Sequence, residues 1–402
     1  MIVHPYLSIG NLIRQLGAAV LLKNSTGWKY FFPWLTNGAF RMIPVAGGSI
    51  GMGCIGFGKH PVWEITEACN LRCKHCHVSS TNPSPDELDT IEGKNLIAQI
   101  ARLRSMQMLV YTGGEPLVRP DLEDLLAYSK SKGLANVIAT NGTLIDEQRA
   151  KELKKLGVKG VAISFDSTDP EIHNNIRGNN KAFDLALKGI EACKKAGMVI
   201  QLNYTAMKSN LKTLEEVIRF AHEIRADIML CYQLVPVGRG SLIKDWVLSA
   251  EENKALVEIV KTNQKNTYTI IEPVAAPQYW PALLKKDSRD EGKISRPYFF
   301  HGCAAGWGLI YIKANGDIWP CPFIPVKGGN IREKSLKWII YNSKVFKDLS
   351  DRNNLKGKCG ECKNRYICGG CRGKAYAQTG DYLAEDPSCY IHQNGKPSYD
   401  FI

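Results

Sequence analysis

The amino-acid sequence predicts an α/β protein, namely a partial (β/α)6 TIM-like barrel followed by a small Cys-rich C-terminal domain. Three observations predict this fold. From residue 61 onward, short β-branched runs alternate with helical stretches, which is the pattern of a parallel sheet covered by helices. The chain of 402 residues is long enough for one large core and a second, smaller domain. Ten of its 13 cysteines fall into two groups, at residues 69–76 and 303–389.

The β-branched runs predict six strands: Val62–Thr66, Met108–Thr112, Asn136–Thr140, Gly160–Phe165, Val199–Thr205 and Asp227–Leu234. Helical spacing of apolar residues predicts five helices between them: Glu92–Ser105, Leu122–Lys132, Asp146–Leu156, Ala182–Ala196 and Thr213–Ile224. Gly133, Gly157 and Gly197 stand where three of these helices would end. In such barrels the chemistry gathers in the loops at the carboxyl ends of the strands, so we expect the functional residues there.

The chain is predicted to divide into four regions. Residues 61–240 form the barrel, and residues 241–300 are polar and are interpreted as a mostly helical or irregular connector. Residues 301–402 form the Cys-rich domain, and a small domain of that composition needs metal to hold it together. Residues 1–60 are a separate N-terminal extension.

The N-terminal extension contains no Asp or Glu and is rich in aromatic residues. Its apolar runs are far shorter than the ~18 residues needed to span a bilayer, and no basic stretch precedes a long apolar one. Two interpretations stay open. The extension packs its aromatic residues against the main domain, or it lies in a membrane interface as a peripheral anchor.

The charge and the cysteine usage indicate the kind of partner and compartment. The formal net charge of +13 favours anionic partners, although a solvated basic surface has the same composition. We expect an anionic small molecule, peptide or lipid as substrate and no nucleic acid partner.

Thirteen cysteines without a signal peptide indicate metal thiolate sites in a reducing compartment. The expectation is a cytoplasmic, oxygen-sensitive protein, with membrane association as the second interpretation of residues 1–60.

The first cysteine group is the loop Cys69-x3-Cys73-x2-Cys76, which directly follows the first predicted strand. Three thiolates in one loop suit a cubane iron–sulfur cluster and leave its fourth iron open to a small chelating ligand. A zinc site or an ordinary ferredoxin loop is the alternative, with His75 and His77 as further zinc ligands. The loop resembles the hallmark motif of the radical S-adenosylmethionine (SAM) superfamily, whose barrel is also a partial (β/α)6 barrel.

This resemblance implies the cofactors and the reaction class. The three cysteines would hold a [4Fe-4S] cluster whose open iron binds S-adenosylmethionine. One electron cleaves SAM to methionine and a 5′-deoxyadenosyl radical, which takes a hydrogen atom from the substrate. The resemblance also implies an anaerobic setting and an external electron donor such as ferredoxin or flavodoxin.

A second motif, Gly113-Gly114-Glu115-Pro116, follows the second predicted strand and is similar to the GGEP motif of the superfamily. Glycines permit close backbone approach, and Glu115 offers an acceptor for the amino group of SAM. Weaker resemblances in the later loops imply further SAM-binding residues, in order Ser164, Asp166, Arg177, Asn203 and Val235. Each of these also suits a purely structural role, because buried polar groups commonly satisfy the backbone.

The second cysteine group comprises seven thiols: Cys303, Cys321, Cys359, Cys362, Cys368, Cys371 and Cys389. Their spacing resembles the SPASM domain, which carries two auxiliary [4Fe-4S] clusters, although Gly369 and Gly370 leave one residue fewer than usual in the last interval. The resemblance implies one complete ligand set: Cys359, Cys362, Cys368 and Cys389. It implies a second, nearer set of Cys303, Cys321 and Cys371, with an open or non-Cys fourth position for which His301 is a candidate. A zinc ribbon at residues 359–371 is the alternative.

The substrate is predicted by resemblance as well. The run Cys-Gly-Gly-Cys-Arg-Gly at residues 368–373 resembles enzymes of the alternative haem pathway, which remove acetate or propionate carboxyls from siroheme derivatives. Peptide-maturing enzymes are similar too, so a tetrapyrrole side chain or a peptide is expected. A lipid at the membrane surface and a non-catalytic iron–sulfur or zinc protein are the alternatives. No catalytic acid or base is assigned, although four polar side chains are expected near the mouth: Asp166, His173, Tyr204 and Tyr232.

Overall fold

The computed structural model describes residues 60–391, with gaps at 104–105, 107, 265–266, 268 and 285–301. The N-terminal extension therefore lies outside the described residues up to residue 59, and so does the candidate ligand His301. Within the described ranges, no helix is long and apolar enough to cross a membrane.

The six predicted strands are confirmed to within two residues at either end. They are β1 (His60–Glu64), β2 (Met108–Thr112), β3 (Ala135–Thr140), β4 (Val158–Ser164), β5 (Val199–Ala206) and β6 (Ile228–Gln233). Four further strands follow, β7 (Ile270–Val274), β8 (Leu309–Ile312), β9 (Asp317–Trp319) and β10 (Gly329–Asn330). Strand β7 was not predicted, and it lies inside the segment interpreted as a connector.

The five predicted helices are confirmed. The predicted and observed bounds differ most at the C-terminal end of the first helix. They are α1 (Thr90–Arg102), α2 (Leu122–Ser131), α3 (Glu147–Lys155), α5 (Ala182–Lys195) and α6 (Leu214–Glu223). Between them lies an unpredicted short helix, α4 (Pro170–Arg177). Six helices follow, α7 (Ala250–Asn263), α8 (Tyr279–Leu284), α9 (Leu336–Asn342), α10 (Lys344–Ser350), α11 (Gly357–Glu361) and α12 (Arg372–Thr379). The glycines predicted to end helices, Gly133, Gly157 and Gly197, all have positive φ.

Within the described ranges, the ten strands form one sheet in the order β10-β9-β8-β1-β2-β3-β4-β5-β6-β7. Strands β1 to β7 run parallel in chain order, and β8 from the Cys-rich region pairs parallel with β1. Strands β9 and β10 are antiparallel. The barrel is therefore partial and not closed, and the predicted fold class is confirmed.

Apolar residues cover both faces of the sheet. The larger cluster lies between the sheet and its helices and includes Trp63, Leu96 and Phe165. The residues of the smaller cluster stand at alternate positions along the strands, for example Met108 and Val110 on β2. This inner cluster fills the amino-terminal half of the barrel. The carboxyl ends of the strands are left to polar residues and loops.

Candidate active site

The loop after β1 carries the first cysteine group. The Cys69 N–H donates to the carbonyl of Thr81 (3.3 Å), and within the loop the Cys76 N–H donates to the carbonyl of Cys73 (3.4 Å). The Leu71 N–H donates to the Cys69 sulfur at 3.4 Å. Such N–H···S bonds favour the thiolate over the thiol, which is the form that binds iron.

The Gly113-Gly114 pair lets the loop after β2 lie against this cysteine loop. The N–H groups of Gly114 and Glu115 donate to the carbonyls of Thr66 and Ala68, both at 2.8 Å. A Cβ atom at Gly114 would lie 2.1 Å from the Ala68 oxygen, and one at Gly113 would lie 2.4 Å from the Thr66 oxygen. The close approach predicted for these glycines is therefore present, and it allows no side chain.

The substitution Gly114→Ala is expected to lower the free energy of unfolding by about 3 kcal/mol, because the new methyl group overlaps a backbone oxygen that cannot rotate away. Denaturant unfolding of both proteins measures this difference. The matched control is Gly197→Ala, where a Cβ meets nothing within 4 Å and φ is +70°. There only the left-handed backbone opposes alanine, which costs about 1 kcal/mol. Equal losses in the two variants would contradict the steric explanation.

Glu115 presents a fully buried carboxylate beside the cysteine loop. Its Oε1 accepts hydrogen bonds from Thr140 Oγ1 (2.7 Å) and the Leu117 N–H (3.2 Å), and its Oε2 accepts one from the Asn141 N–H (2.7 Å). Burial raises the pKa of Glu115 to about 7, although these hydrogen bonds act in the opposite direction. Each carboxylate oxygen accepts about two hydrogen bonds, so Oε2 keeps room for one more donor.

Arg177 joins Asp166 to the cysteine loop. Its Nη2 atom lies 2.7 Å from Asp166 Oδ2, and its Nη1 donates to the Cys73 sulfur at 3.7 Å. Asp166 is fully buried and also accepts the Thr205 N–H at 3.0 Å. Burial opposes ionisation of Asp166, but Arg177 outweighs it together with the other polar neighbours, so its pKa is below the usual value. Arg177 lies in the unpredicted helix α4, which therefore positions a predicted site residue.

Of the remaining predicted SAM-binding residues, Ser164 ends β4, Asn203 lies in the carboxyl-terminal half of β5, and Val235 follows β6. Ser164 and Asn203 are register partners across two neighbouring strands, and both side chains are partly exposed. The Gln201 amide donates to Asn203 Oδ1 at 2.7 Å. Val235 is buried and packs in one apolar cluster with Cys371. The structure thus brings these residues to the same end of the barrel as the cysteine loop.

Two of the polar residues expected near the mouth are bound into the fold. The Tyr204 hydroxyl donates to the Asn210 carbonyl at 2.6 Å, and His173 Nδ1 accepts the Asp166 N–H at 3.2 Å. Burial lowers the pKa of His173 to about 4, so the ring is neutral near pH 7. These contacts give both side chains a structural role.

The loop after β6 reaches back to the cysteine loop. Arg239 Nε donates to the Cys73 carbonyl at 2.8 Å, and its Nη atoms donate to the Ser80 carbonyl at 3.3 and 3.4 Å. A Cβ atom at Gly238 would lie 2.3 Å from the His77 oxygen. The backbone of the cysteine loop is therefore held from both β2 and β6.

Four cysteines of the second group line one cavity of about 360 Å³, a volume that includes space open to solvent: Cys359, Cys362, Cys368 and Cys389. Backbone N–H groups donate to three of their sulfurs: Asp386 to Cys359 (3.4 Å), Asn364 to Cys362 (3.3 Å) and Gly370 to Cys368 (3.4 Å). This is the set that the resemblance implied for one complete cluster.

The other three cysteines of the group are also neighbours. Burial raises the pKa of the Cys321 thiol, and the nearby thiols of Cys303 and Cys371 raise it further. Burial likewise raises the pKa of Cys371 to about 12. A thiol of this kind ionises when it binds a metal, which compensates the buried charge.

The four-cysteine set and the three-cysteine set both consist of free thiols, the ligands that iron–sulfur clusters require. Within the described ranges, no three His, Cys, Asp or Glu side chains converge on a point that one metal ion would occupy, and all the described cysteines are free thiols. In a cubane each thiolate binds a different iron, so the thiolates surround a space.

A buried polar network beside β1 was missed at the sequence level. The Tyr311 hydroxyl donates to Glu64 Oε2 at 2.6 Å, and Lys313 Nζ donates to Glu64 Oε1 at 2.5 Å and to Glu67 Oε1 at 3.2 Å. Burial raises the pKa of Glu64 to about 7, and Lys313 acts against this rise. Tyr311 lies on β8 and Lys313 directly follows it, but their partner Glu64 lies almost 250 residues earlier in the chain.

Comparisons with known proteins match both the barrel, which carries the first cysteine loop, and the Cys-rich region. The family model of the radical SAM superfamily matches residues 63–221, and that of the SPASM iron–sulfur cluster-binding domain matches residues 303–363. The chain is 37% identical over 341 residues to the AdoMet-dependent heme synthase of Methanosarcina barkeri, covering 83% of this chain and 96% of that protein. It is 32% identical over 349 residues to the Fe-coproporphyrin III synthase of the same organism, covering 82% and 87%.

Among solved structures, the chain is similar to Streptococcus suis SuiB bound to S-adenosylmethionine. The TM-score is 0.62 at 20% identity, with 83% of this chain and 77% of that chain covered. This likeness extends the shared fold across the barrel and the Cys-rich region. The chain uses [4Fe-4S] clusters and S-adenosylmethionine, and it belongs to the radical SAM superfamily, as an enzyme with a C-terminal SPASM domain.

Proposed function

We propose that this enzyme removes carboxyl groups from the side chains of a tetrapyrrole. The observation that carries the proposal is the 37% identity to the AdoMet-dependent heme synthase, which extends over both the barrel and the SPASM region. The similarity to the Fe-coproporphyrin III synthase supports it. The net charge of +13 is suited to a substrate with several carboxylates.

We further propose how the cysteines are divided among three clusters. Cys69, Cys73 and Cys76 would hold the cluster that binds SAM. The cavity set would hold one auxiliary cluster completely, with ligands Cys359, Cys362, Cys368 and Cys389. The neighbouring set of Cys303, Cys321 and Cys371 would hold the other with three thiolates. When bound, the first cluster supplies the electron that cleaves SAM.

The residues around the cysteine loop would position SAM. Glu115 Oε2 offers its remaining acceptor position to the amino group of SAM, while Thr140 and Asn141 hold the carboxylate in place. Ser164 and Asn203 offer polar groups at the mouth. Val235 offers an apolar surface for the adenine ring. Arg177, held by Asp166, keeps a positive charge beside the Cys73 sulfur.

The proposal includes the working conditions. A protein with this number of cluster ligands would act in a reducing, oxygen-poor cytoplasm and take its electron from a ferredoxin or a flavodoxin. The lipid alternative depended on residues 1–60, almost all of which lie outside the described residues, and we do not propose it.

The substrate is tested with Fe-coproporphyrin III as the probe. Anaerobically reconstituted protein, reductant, SAM and the probe are incubated, and the products are identified by mass spectrometry. We expect 5′-deoxyadenosine together with a tetrapyrrole that has lost side-chain carboxyls as CO2. The methyl ester of the same probe is the control and should not react. Formation of 5′-deoxyadenosine with an unchanged tetrapyrrole would overturn the proposed substrate.

The affinity for SAM is expected to depend on pH through Glu115. Burial raises the pKa of Glu115 to about 7, so without SAM the carboxyl is largely protonated at pH 6 and largely ionised at pH 8. Only the ionised form accepts a hydrogen bond on both oxygens, so SAM should bind about tenfold more weakly at pH 6 than at pH 8. The dissociation constant is measured at both pH values. The variant Glu115→Gln should show a weaker dependence, because only the amino group of SAM would then titrate in this range. An equal pH slope in both proteins would refute the role of Glu115.

A further inference from the structure

Two arginines are buried among the cysteines of the SPASM region. Arg372 is fully buried, and its Nη2 donates to the Cys359 sulfur at 3.4 Å. Its other donors bind the carbonyls of Ala384 (2.5 Å), Gly370 (3.2 Å) and Tyr382 (3.3 Å). Arg352 is 8% exposed, and its Nη2 donates to the Cys303 carbonyl.

The position of Arg352 is between the two cysteine sets. Its Nη2 donates to the Cys303 carbonyl, and its Nη1 lies beside Gly369, the residue that follows Cys368. Cys303 belongs to the three-cysteine set and Cys368 to the four-cysteine set. One buried positive charge therefore lies near both sites, and Arg372 adds a second one at the four-cysteine site.

Gly369 and Gly370 make the room for these two guanidinium groups. A Cβ atom at Gly370 would lie 2.4 Å from Arg372 Nη2 and 2.8 Å from the Cys359 sulfur. A Cβ atom at Gly369 would lie 2.4 Å from Arg352 Nη1. Both glycines have positive φ, +69° and +61°. The short glycine interval between Cys368 and Cys371 thus admits one arginine on each side.

Within the described part of the chain, neither guanidinium forms an ion pair with a carboxylate. An arginine does not lose its charge in proteins, and a buried charge without a counter-ion is strongly unfavourable. Asp381 feels the charge of Arg372 but forms its ion pair with Lys356. The other candidates for the compensating negative charge are the thiolates and the clusters that they would hold. Arg177 differs, because Asp166 at 2.7 Å already neutralises it beside Cys73.

We propose that Arg352 and Arg372 are the buried counter-cations of the two auxiliary clusters and raise their reduction potentials. The inference rests on the proposed division of the cysteines among the clusters. Reduction adds an electron to a cluster, and a desolvated positive charge beside it stabilises the reduced form. Arg372 acts on the four-cysteine cluster, while Arg352 acts on both. Both act on the clusters through their charge, so both are positioning residues.

The test is an EPR-monitored redox titration of the reconstituted full-length protein. In Arg372→Met, the midpoint potential of the four-cysteine cluster should move to a more negative value at unchanged iron content. Arg372→Lys, which keeps the charge, should lie between this variant and the parent protein. The control is Arg365→Met, because Arg365 also lines this cavity but donates to the exposed Tyr366. Its charge is near solvent, so its removal should shift the potential less.

The outcomes separate the inference from the proposed function. An unchanged potential in Arg372→Met with full iron content overturns the role of Arg372. Loss of iron in both the Met and the Lys variant overturns it too, since the side chain would then hold the fold and not the potential. A parent protein with fewer than about twelve iron atoms per chain, four for each cluster, overturns instead the three-cluster division on which the inference rests.

Discussion

Replacement of Cys73 by alanine is expected to abolish the formation of 5′-deoxyadenosine, a loss of at least about 10³-fold, because the remaining two thiolates of the loop do not hold a cluster. Iron content should fall from about twelve to about eight atoms per chain, since the auxiliary clusters have separate ligands. Chromatographic assay of 5′-deoxyadenosine and iron analysis measure both effects.

The matched control for this variant is Cys193→Ala. Cys193 is a buried thiol of α5 in the hydrophobic core, far in sequence from both cysteine groups. Its replacement should leave the iron content unchanged. Full retention of iron and of 5′-deoxyadenosine formation in Cys73→Ala would refute the assignment of the loop as the SAM cluster site.

Arg177→Met is expected to lower the free energy of unfolding by about 3–5 kcal/mol, because it leaves the fully buried carboxylate of Asp166 without its cation. Denaturant unfolding of the protein without clusters measures this loss. Adding Asp166→Asn to the variant removes the unpaired charge, so the double variant should recover part of the stability. This coupling distinguishes the lost ion pair from lost packing.

A surface ion pair supplies the control for Arg177. Arg149 pairs with Glu123, whose side chain is 56% exposed. Exposed pairs contribute little, so Arg149→Met should change the unfolding free energy by at most about 1 kcal/mol. The geometry indicates that the buried pair of Arg177 and Asp166 stabilises the cysteine loop. If Arg177→Met were no more destabilising than Arg149→Met, this interpretation would be wrong.

The sequence predicts those parts of the fold and site that depend on local pattern. Strands β1 to β6 have β-branched runs of the right length, and the glycines after the helices mark their ends. The cysteine loop and the Gly113-Gly114-Glu115 turn are contiguous segments. Their position after parallel strands brings them together without any knowledge of distant contacts.

Strand β7 shows why another part was not predictable. Its sequence is Ile-Ile-Glu-Pro-Val, and proline and a buried glutamate argue against a strand. The strand lies at the edge of the sheet, where a missing N–H is tolerated. Helix α4 was missed for a different reason, since its eight residues are too short to establish a helical period.

The buried charges could not be predicted because their partners are distant in sequence. Arg352 binds a carbonyl 49 residues away, and Tyr311 binds Glu64 across 247 residues. Arginine, lysine and glutamate are usually exposed, so composition alone assigns such residues to the surface. Only the folded chain shows which of them are buried.

Strand β8 makes the SPASM region part of the barrel's own architecture. It occupies the hydrogen-bonding side of β1, the strand that leads into the first cysteine loop. A fragment that ends before residue 309 would present β1 as an open edge and would leave Glu64 buried without Tyr311 and Lys313. Open edges recruit strands from other molecules, so such a fragment should aggregate and not behave as an independent catalytic module.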